Sequence, residues 1–177
     1  MPSGKTHDMV TLVLAPPTFA AAWGLTGSVW LSAAATAAML FGGLMFGPDL
    51  DIQSRQYTRW GPLRFLWFPY KAVFRHRSRW SHGIVFGTLI RVVYFAAVLT
   101  IVAWACVYAR AVFLSGDAAP GWREVVQGWH FVEASAAGYG VGPRAFAAVL
   151  AGLWWGAASH TLTDVAWSVL RKGSEIF

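Results

Sequence analysis

The chain has 177 residues, of which 56% are hydrophobic and only 12% are charged, and its formal net charge is +6. Soluble domains hold roughly 25% charged residues, so this composition excludes an ordinary soluble protein. The single Cys106 excludes an internal disulfide and a zinc site built from cysteines. We predict an all-α integral membrane bundle, a single domain over residues 1–177 with about four transmembrane helices plus interfacial helices.

The first two spans lie in a long uncharged run. Residues 9–48 contain no charged side chain, a run of 40 residues. As one helix this run would be about 60 Å long, twice the thickness of the hydrocarbon core, so it must fold back. The segment Gly24–Ser28 is the natural point of reversal. We predict a first span near Met9–Trp23 and a second near Ser28–Phe46.

The next segment, Asp51–Trp80, is strongly basic, with seven Lys and Arg side chains against one acid. Within it, Pro62–Phe74 mixes aromatic and aliphatic residues with Arg64 and Lys71, a pattern typical of a segment in the membrane interface. Each basic residue near an anionic leaflet contributes about 1 kcal/mol. We expect membrane lipids with anionic headgroups as partners of this segment and no nucleic acid. The sequence leaves the oligomeric state open.

Two further spans follow. Gly83–Ala109 is interrupted only by Arg91, and Arg144–Leu170 is closed by two basic residues. The loop between them, Arg110–Gly142, has mixed charge. Apolar side chains recur in this loop at helical spacing and predict a surface helix: Trp122, Val125, Val126 and Trp129.

The orientation follows from the distribution of positive charge. Seven basic residues in one short loop mark the cytoplasmic side. With four spans, the two termini lie on the same side as this loop. The opposite loop carries two basic and three acidic residues. We therefore predict a multi-pass protein of the bacterial inner membrane with cytoplasmic N- and C-termini.

Eight ionisable residues of metal-binding type lie at or near the ends of these spans. An Asp at the centre of a spanning helix costs about 2.5–3.5 kcal/mol on insertion scales, so such a residue is normally functional. On the predicted topology all eight open toward the cytoplasmic face, where we expect them to meet: His7, Asp8, Asp49, Asp51, His76, His82, His160 and Asp164.

The spacing within these pairs suits metal ligation. His160 and Asp164 are i and i+4 and share one helix face. Asp49 and Asp51 are i and i+2, so in an extended segment both carboxylates point the same way. Mixed imidazole and carboxylate donors favour Zn²⁺, with Mn²⁺ or Fe²⁺ as alternatives, over Mg²⁺ or Ca²⁺. We predict a centre of one or two ions with six ligands: His7, Asp49, Asp51, His82, His160 and Asp164.

Each pair also has an ordinary structural explanation. Asp8 favours a helix start, Asp49 with Asp51 suits a turn or cap, and His160 with Asp164 suits a buried hydrogen-bonded pair. All of these explanations would have to hold together, whereas one metal site accounts for most of the set. For Arg91 the sequence leaves three roles open, which are neutralising an acid, snorkelling to the membrane interface and binding a substrate phosphate.

Four segments carry a family resemblance: Pro2–Asp8, Phe41–Asp51, His76–His82 and His160–Asp164. Together they resemble an uncharacterised bacterial family of small metal-binding membrane proteins common in cyanobacteria. The order D-x-D, H-R-x-x-x-S-H and H-x-x-x-D is also similar to the inner-membrane metal-dependent hydrolases. The resemblance implies a metal site carried by the eight residues, and it implies no particular reaction.

The first functional hypothesis is a membrane-bound metal-dependent hydrolase that cleaves a phosphoester or other ester of a lipid-like substrate at the cytoplasmic face. It assigns His76 and Asp8 as catalytic groups, each a general base or an orienting residue. It assigns four arginines to the anionic substrate: Arg75, Arg77, Arg79 and Arg91. The alternatives are a non-catalytic protein for metal storage or sensing, and an accessory membrane subunit.

Overall fold

The computed structural model describes residues 2–76, 78, 80–115, 121–138 and 142–174, apart from the side chains of residues 114, 115, 122 and 172–174. Helices are the only regular secondary structure among these residues, and four of them are long and apolar enough to cross a membrane, which confirms the predicted architecture. The α-helices in chain order are α1 Gly4–Thr26, α2 Val29–Leu44, α3 Arg55–Thr58, α4 Phe68–Val73, α5 Phe86–Ala109, α6 Trp122–Gly138 and α7 Pro143–Ser174. Shorter helical segments are the 3₁₀ turns Pro48–Asp51 and Gly61–Trp67 and the π-helical segment Arg110–Ser115.

The chain divides into two compact units. The first comprises Met1–Arg91 and Arg144–Phe177, and the second comprises Val92–Pro143. All eight ionisable residues that the sequence singled out belong to the first unit. The organisation of the whole chain as a single domain stays a prediction.

Helix α1 begins earlier than the predicted span. Ser3 caps it, because the Ser3 hydroxyl accepts a hydrogen bond from the Thr6 amide at 3.3 Å. Such a cap satisfies one of the backbone N–H groups that have no partner within the helix. His7 and Asp8 therefore lie in the first turns of α1, and not in a segment ahead of it.

The reversal between α1 and α2 falls where the sequence predicts it. Gly27 adopts a left-handed conformation with φ of 64°, and its amide donates to the Trp23 carbonyl at 2.8 Å. A residue without a Cβ adopts this conformation at little cost, so α1 ends here. Ser28 then caps α2 by accepting a hydrogen bond from the Leu31 amide.

Two glycines one turn apart on α7 let this helix approach α2 closely. A Cβ on Gly152 would overlap the Ala35 carbonyl, and a Cβ on Gly156 would overlap the Met39 carbonyl. Small residues four apart allow such backbone contact between helices in a membrane. His160 lies one turn beyond Gly156, so the close packing places it beside the chain that leaves the end of α2.

Replacing Gly156 by leucine is expected to lower the free energy of unfolding by about 1–3 kcal/mol, because the new side chain must separate two helices that touch through their backbones. Thermal unfolding of the purified protein in detergent would measure the change. Gly24→Leu is the matched control, since a Cβ at Gly24 meets no other atom within 4 Å. Equal stability of the two variants would contradict the packing described here.

The basic segment folds onto the end of α2 through a cluster of aromatic rings. Trp67 is fully buried and packs edge-on against Phe46 and Tyr70, with ring centroids 5.4 and 5.7 Å away. On the same segment Phe65 and Phe68 are largely exposed. The segment therefore has a buried aromatic face and exposed apolar side chains, as expected for a structure at a membrane interface.

The second unit contains most of α5 and the helix predicted in the loop. The helical spacing around Trp129 is confirmed, since α6 runs from Trp122 to Gly138. Within this unit an apolar groove of about 470 Å³ lies between the two helices. Its lining includes Trp104 and Val107 of α5 and Val125 of α6.

Candidate metal centre

One group of metal-type side chains joins α1 to α7. His7 Nε2 lies 3.4 Å from Asp164 Oδ1, and His160 Nε2 lies 3.9 Å from Asp164 Oδ2. Donor atoms of these three residues lie within 4.8 Å of one another. We call His7, His160 and Asp164 the inner group, because the side chains of its two histidines are only 7% and 3% exposed.

The two imidazoles of the inner group are stacked. Their centroids are 3.7 Å apart and their planes differ by 8°. The Nε2 atom of each ring lies within 4 Å of an Asp164 carboxylate oxygen. The stack therefore holds both imidazoles beside the same carboxylate, as ligands of one ion would be placed.

A second group lies beside the first. Donor atoms of Asp49, His76 and His82 lie within 4.8 Å of one another, and we call these residues the outer group. The side chain of His76 is 30% exposed, against 12% for His82. The rings of His76 and His82 meet edge to face, with centroids 4.8 Å apart. The outer group is thus more open than the inner one.

Asp49 connects the two groups through its two carboxylate oxygens. Oδ1 lies 3.3 Å from His82 Nε2, and Oδ2 lies 3.3 Å from His160 Nε2. One oxygen therefore faces the outer group and the other faces the inner group. A carboxylate in this position can bind two neighbouring ions at once, which no other described residue of the cluster is placed to do.

Asp51 has a different environment from Asp49, although the two are only two residues apart. The sequence suggested an extended segment with parallel carboxylates, but these residues form a 3₁₀ turn. The Asp51 side chain is fully buried, with Oδ1 2.9 Å from His76 Nδ1 and Oδ2 3.7 Å from His82 Nδ1. Asp51 thus faces the Nδ1 atoms of His76 and His82. A carboxylate so placed orients the ring and leaves Nε2 available as a ligand.

Several donor atoms of the cluster are buried and make no hydrogen bond within the described part of the chain. Buried polar atoms are normally hydrogen-bonded, so such a concentration requires another partner. Two ligands of one Zn²⁺, each at about 2.1 Å in tetrahedral geometry, stand about 3.4 Å apart, close to the separations seen here. The cluster therefore fits a metal ion better than a hydrogen-bonded network. The buried atoms without a hydrogen bond are His7 Nδ1, Asp51 Oδ2, His82 Nε2, His160 Nε2 and Asp164 Oδ1.

Gln56 contacts both the His160 ring and the Asp49 backbone, and no pattern in the sequence singles it out. Its buried amide nitrogen donates to the Gly43 carbonyl at 2.7 Å and lies 3.4 Å from His160 Nδ1. Its carbonyl oxygen accepts from the Asp49 amide at 3.1 Å. A Cβ on Gly47 would overlap the Gln56 amide, so the glycine makes room for it. A glutamine within a basic segment looks ordinary until its burial is known.

Asp8 lies beside the cluster but is held by two arginines. Arg59 grips both of its oxygens, with Nη1 2.8 Å from Oδ1 and Nη2 2.6 Å from Oδ2. Arg55 Nη1 lies 2.9 Å from Oδ2. Both oxygens of Asp8 are thus occupied by guanidinium nitrogens, and its assignment as a catalytic group stays a prediction.

Over residues 2–173 the sequence matches the family described as "Uncharacterized metal-binding protein (DUF2227)". The chain belongs to this family. The matched range contains all eight ionisable residues that the sequence singles out. The family description supports the predicted metal binding. The stacked imidazoles and the donor atoms without hydrogen bonds support it as well.

One similar protein, described only as uncharacterised, gives no further assignment of function. An "Uncharacterized protein" of Aquifex aeolicus (strain VF5) is 41% identical over 56 residues, which cover 31% of this chain and 39% of the relative. The match thus spans about two fifths of the relative's length. No solved structure matches the chain. The likeness to metal-dependent hydrolases and the cyanobacterial affinity gain no support from these matches.

The arginines that the sequence assigned to substrate have different positions in this member of the metal-binding family. Arg75 is exposed, while Arg77 and Arg79 lie outside the described residues. Arg91 is only 1% exposed, and its Nη1 donates to the Ser81 carbonyl at 2.6 Å. Arg91 thus lies buried within the fold, and its assignment to the substrate stays a prediction.

Arg91 supports the turn that carries the outer histidines. Its second nitrogen donates to Thr88 Oγ1 at 3.1 Å, and the charges of Asp51 and Asp49 act favourably on its guanidinium. Burial raises the pKa of the neighbouring Tyr70, so that hydroxyl stays neutral beside the cation. The Arg91 guanidinium thus supplies a positive charge near the carboxylates of Asp49 and Asp51.

Proposed function

We propose that the protein is a membrane-bound metal-dependent hydrolase that cleaves a phosphoester or other ester of a lipid-like substrate. The position of Asp49 carries this proposal, because one carboxylate oxygen faces each of two His/Asp groups. Two ions held by a shared carboxylate are a common arrangement in enzymes that hydrolyse phosphate esters.

The ligands of the two ions follow from the two groups. His7, His160, Asp164 and one Asp49 oxygen would hold the inner ion. His76, His82 and the other Asp49 oxygen would hold the outer ion, with Asp51 orienting His76. The donor set favours Zn²⁺, with Mn²⁺ or Fe²⁺ as alternatives. Such ions, when bound, lower the pKa of a bound water and polarise the scissile ester.

The difference in exposure between the groups supports different roles for the two ions. Catalytic metal sites keep an open position for water or substrate, whereas structural sites are closed. The His160 side chain is 3% exposed and that of His76 is 30% exposed. Hydrolysis would therefore take place at the outer group. If only one ion binds, at the inner group, His76 paired with Asp51 takes the role of proton acceptor.

The site would lie at the cytoplasmic face of the bacterial inner membrane. Four apolar helices support a multi-pass protein, and the exposed apolar side chains of the basic segment support contact with lipid. The N- and C-termini would share this side with the basic segment. Anionic headgroups are the partners that this segment's charge favours.

Metal storage or sensing is the second candidate function. The near-complete burial of the inner histidines favours it, since a closed site retains an ion and admits no substrate. Both functions require the same ligands, and turnover alone separates them.

Hydrolysis of short-chain phospholipids and neutral esters by the purified, metal-loaded protein, followed through the alcohol, phosphomonoester or acid released, tests the proposal. We expect His160→Ala and Asp164→Ala to lose turnover about 100-fold, because each removes a ligand of the inner ion and hydrolysis at the outer group would need both ions of a two-metal centre. Thr163→Ala is the matched control on the same helix, since its hydroxyl bonds only to the Ser159 carbonyl among described residues. Metal binding without turnover of any phosphoester or neutral ester would leave storage or sensing, and absence of metal binding would overturn both.

A further inference from the structure

Ser81, the residue before the outer histidine His82, is buried beside a metal-type imidazole. It belongs to the pattern H-R-x-x-x-S-H and lies in the turn ahead of α5, where it is fully buried. Its side-chain oxygen lies 3.1 Å from His82 Nδ1. The partner of one imidazole nitrogen decides whether the other nitrogen is free to bind a metal ion.

Ser81 is closer to this nitrogen than the neighbouring carboxylate is. Asp51 Oδ2 lies 3.7 Å from His82 Nδ1, which is too far for a hydrogen bond, and it makes none among the described residues. His76 differs, because Asp51 Oδ1 lies 2.9 Å from its Nδ1. The two outer histidines therefore have different partners at Nδ1, a carboxylate for His76 and a hydroxyl for His82.

The surroundings of the Ser81 hydroxyl indicate that it accepts a hydrogen bond from the ring. A hydroxyl has one proton to donate and two lone pairs that accept. The carbonyl oxygens of Arg75 and Ser78, at 3.1 and 3.5 Å from Ser81 Oγ, can only accept, so the hydroxyl proton points toward them. Ser81 Oγ then accepts from His82 Nδ1–H, which leaves His82 Nε2 without a proton.

The opposite nitrogen of His82 faces another acceptor. His82 Nε2 is buried, has no hydrogen bond within the described part of the chain and lies 3.3 Å from Asp49 Oδ1. Two electron-rich atoms at this distance repel each other unless a cation lies between them. The tautomer that Ser81 favours is therefore the one in which His82 is ready to bind a metal ion.

The main chain around His82 is held independently of the Ser81 hydroxyl. The Ser81 carbonyl accepts from Arg91 at 2.6 Å, and the His82 carbonyl accepts from Thr161 Oγ1 of α7 at 3.4 Å. The His82 amide donates to the Ser78 carbonyl at 2.8 Å. Removing the hydroxyl leaves all three bonds in place, so its loss acts on the ring of His82 and spares the turn.

We propose that Ser81 is a positioning residue for the outer metal ligand His82. Its hydroxyl accepts a hydrogen bond from His82 Nδ1 and thereby directs Nε2 toward the outer ion. This inference rests on the metal centre of the proposed function and adds to it a residue outside the ligand set.

Titration of the full-length protein in detergent with Zn²⁺, measured by calorimetry, tests the effect on metal binding. We expect Ser81→Ala to weaken binding of the outer ion about tenfold and to leave the inner ion unchanged, because residues that orient ligands contribute about 10–100-fold to metal affinity. Ser78→Ala is the matched control. The Ser78 hydroxyl lies in the same turn and contacts Ser81, but it contacts no histidine among the described residues. Zinc stoichiometry and affinity of Ser81→Ala equal to those of the wild type would overturn the proposal.

The tautomer of His82 gives a second measurement that needs no bound metal. In metal-free protein with isotopically labelled histidine, nuclear magnetic resonance distinguishes a protonated Nδ1 from a protonated Nε2, and the His82 signal is identified by its loss in His82→Gln. We expect the proton on Nδ1 in the wild type and in Ser78→Ala, and on both nitrogens in Ser81→Ala. A proton on Nε2 in the wild type would contradict the proposal, as would an unchanged tautomer in Ser81→Ala.

These measurements separate the role of Ser81 from the proposed hydrolase activity. A metal-loaded wild type that hydrolyses no ester refutes the hydrolase, while weaker zinc binding by Ser81→Ala still supports the positioning role. An active, metal-loaded wild type whose zinc affinity and His82 tautomer are unaffected by Ser81→Ala refutes this inference alone.

Discussion

Asp49→Asn is expected to abolish metal binding at both groups. Each oxygen of Asp49 faces a different imidazole nitrogen at 3.3 Å, so the substitution removes negative charge from both sites while keeping the shape of the side chain. Altering residues that only support metal ligands already costs about 10–100-fold in affinity, so we expect a loss of about 100-fold or more for each ion. Elemental analysis and calorimetric titration with Zn²⁺ would measure this loss.

The control for Asp49 is a carboxylate that serves one group. Asp164 faces His7 and His160 and belongs to the inner group, so Asp164→Asn should lose one ion and retain the outer one. The shared role of Asp49 fails if Asp49→Asn binds as many ions as the wild type. It also fails if Asp164→Asn loses both ions while Asp49→Asn loses one.

Arg91→Met is expected to reduce the free energy of unfolding by about 3–5 kcal/mol, the usual cost of removing one partner from a buried charged network. The variant leaves the Ser81 carbonyl without its donor and removes the positive charge that acts on Asp51. Methionine has a similar length and fills much of the same volume, so the loss reports on charge and hydrogen bonding. Thermal unfolding in detergent measures it.

Two further variants serve as comparisons for the stability of Arg91→Met. Arg91→Lys keeps the charge but loses the two-point contact with Ser81 and Thr88, so we expect an intermediate loss of stability. Arg64→Met removes an exposed arginine and should change stability by less than about 0.5 kcal/mol. An Arg91→Met variant as stable as Arg64→Met would show that the buried guanidinium contributes nothing.

Much of the architecture could be predicted because hydropathy sets where each span begins and ends. An uncharged run of 40 residues must fold back, and its reversal falls at Gly27 as expected. Once four spans are fixed, their ends alternate between two sides, which is why residues as distant as His7 and His160 could be expected to meet. The spacing of apolar residues likewise predicted α6.

The individual roles of the residues in the cluster could not be predicted, because they depend on local geometry. Asp49 and Asp51 look equivalent in the sequence, yet a 3₁₀ turn directs them to different nitrogens. The two arginines on Asp8 and the buried amide of Gln56 are contacts between segments that hydropathy does not connect. Chemical type alone cannot show which carboxylate is neutralised by a neighbour.

Arg91 illustrates a different limit. Counting residues from His82 along a straight helix places Arg91 on the opposite face. However, α5 begins only at Phe86, and His82 lies in the turn before it. The helical period therefore does not apply across this boundary, and Arg91 reaches the adjacent Ser81 carbonyl. A prediction based on helical phase is valid only within one helix.

The stacked rings of His7 and His160 have a consequence for the order of biogenesis. About 150 residues of chain separate these two imidazoles, and one belongs to α1 while the other belongs to α7. An ion bound by both rings can be captured only after α7 has been made and has packed against α1. Capture at the inner group would thus be a late event in maturation, because a chain that ends before α7 carries His7 and the outer group but lacks His160 and Asp164.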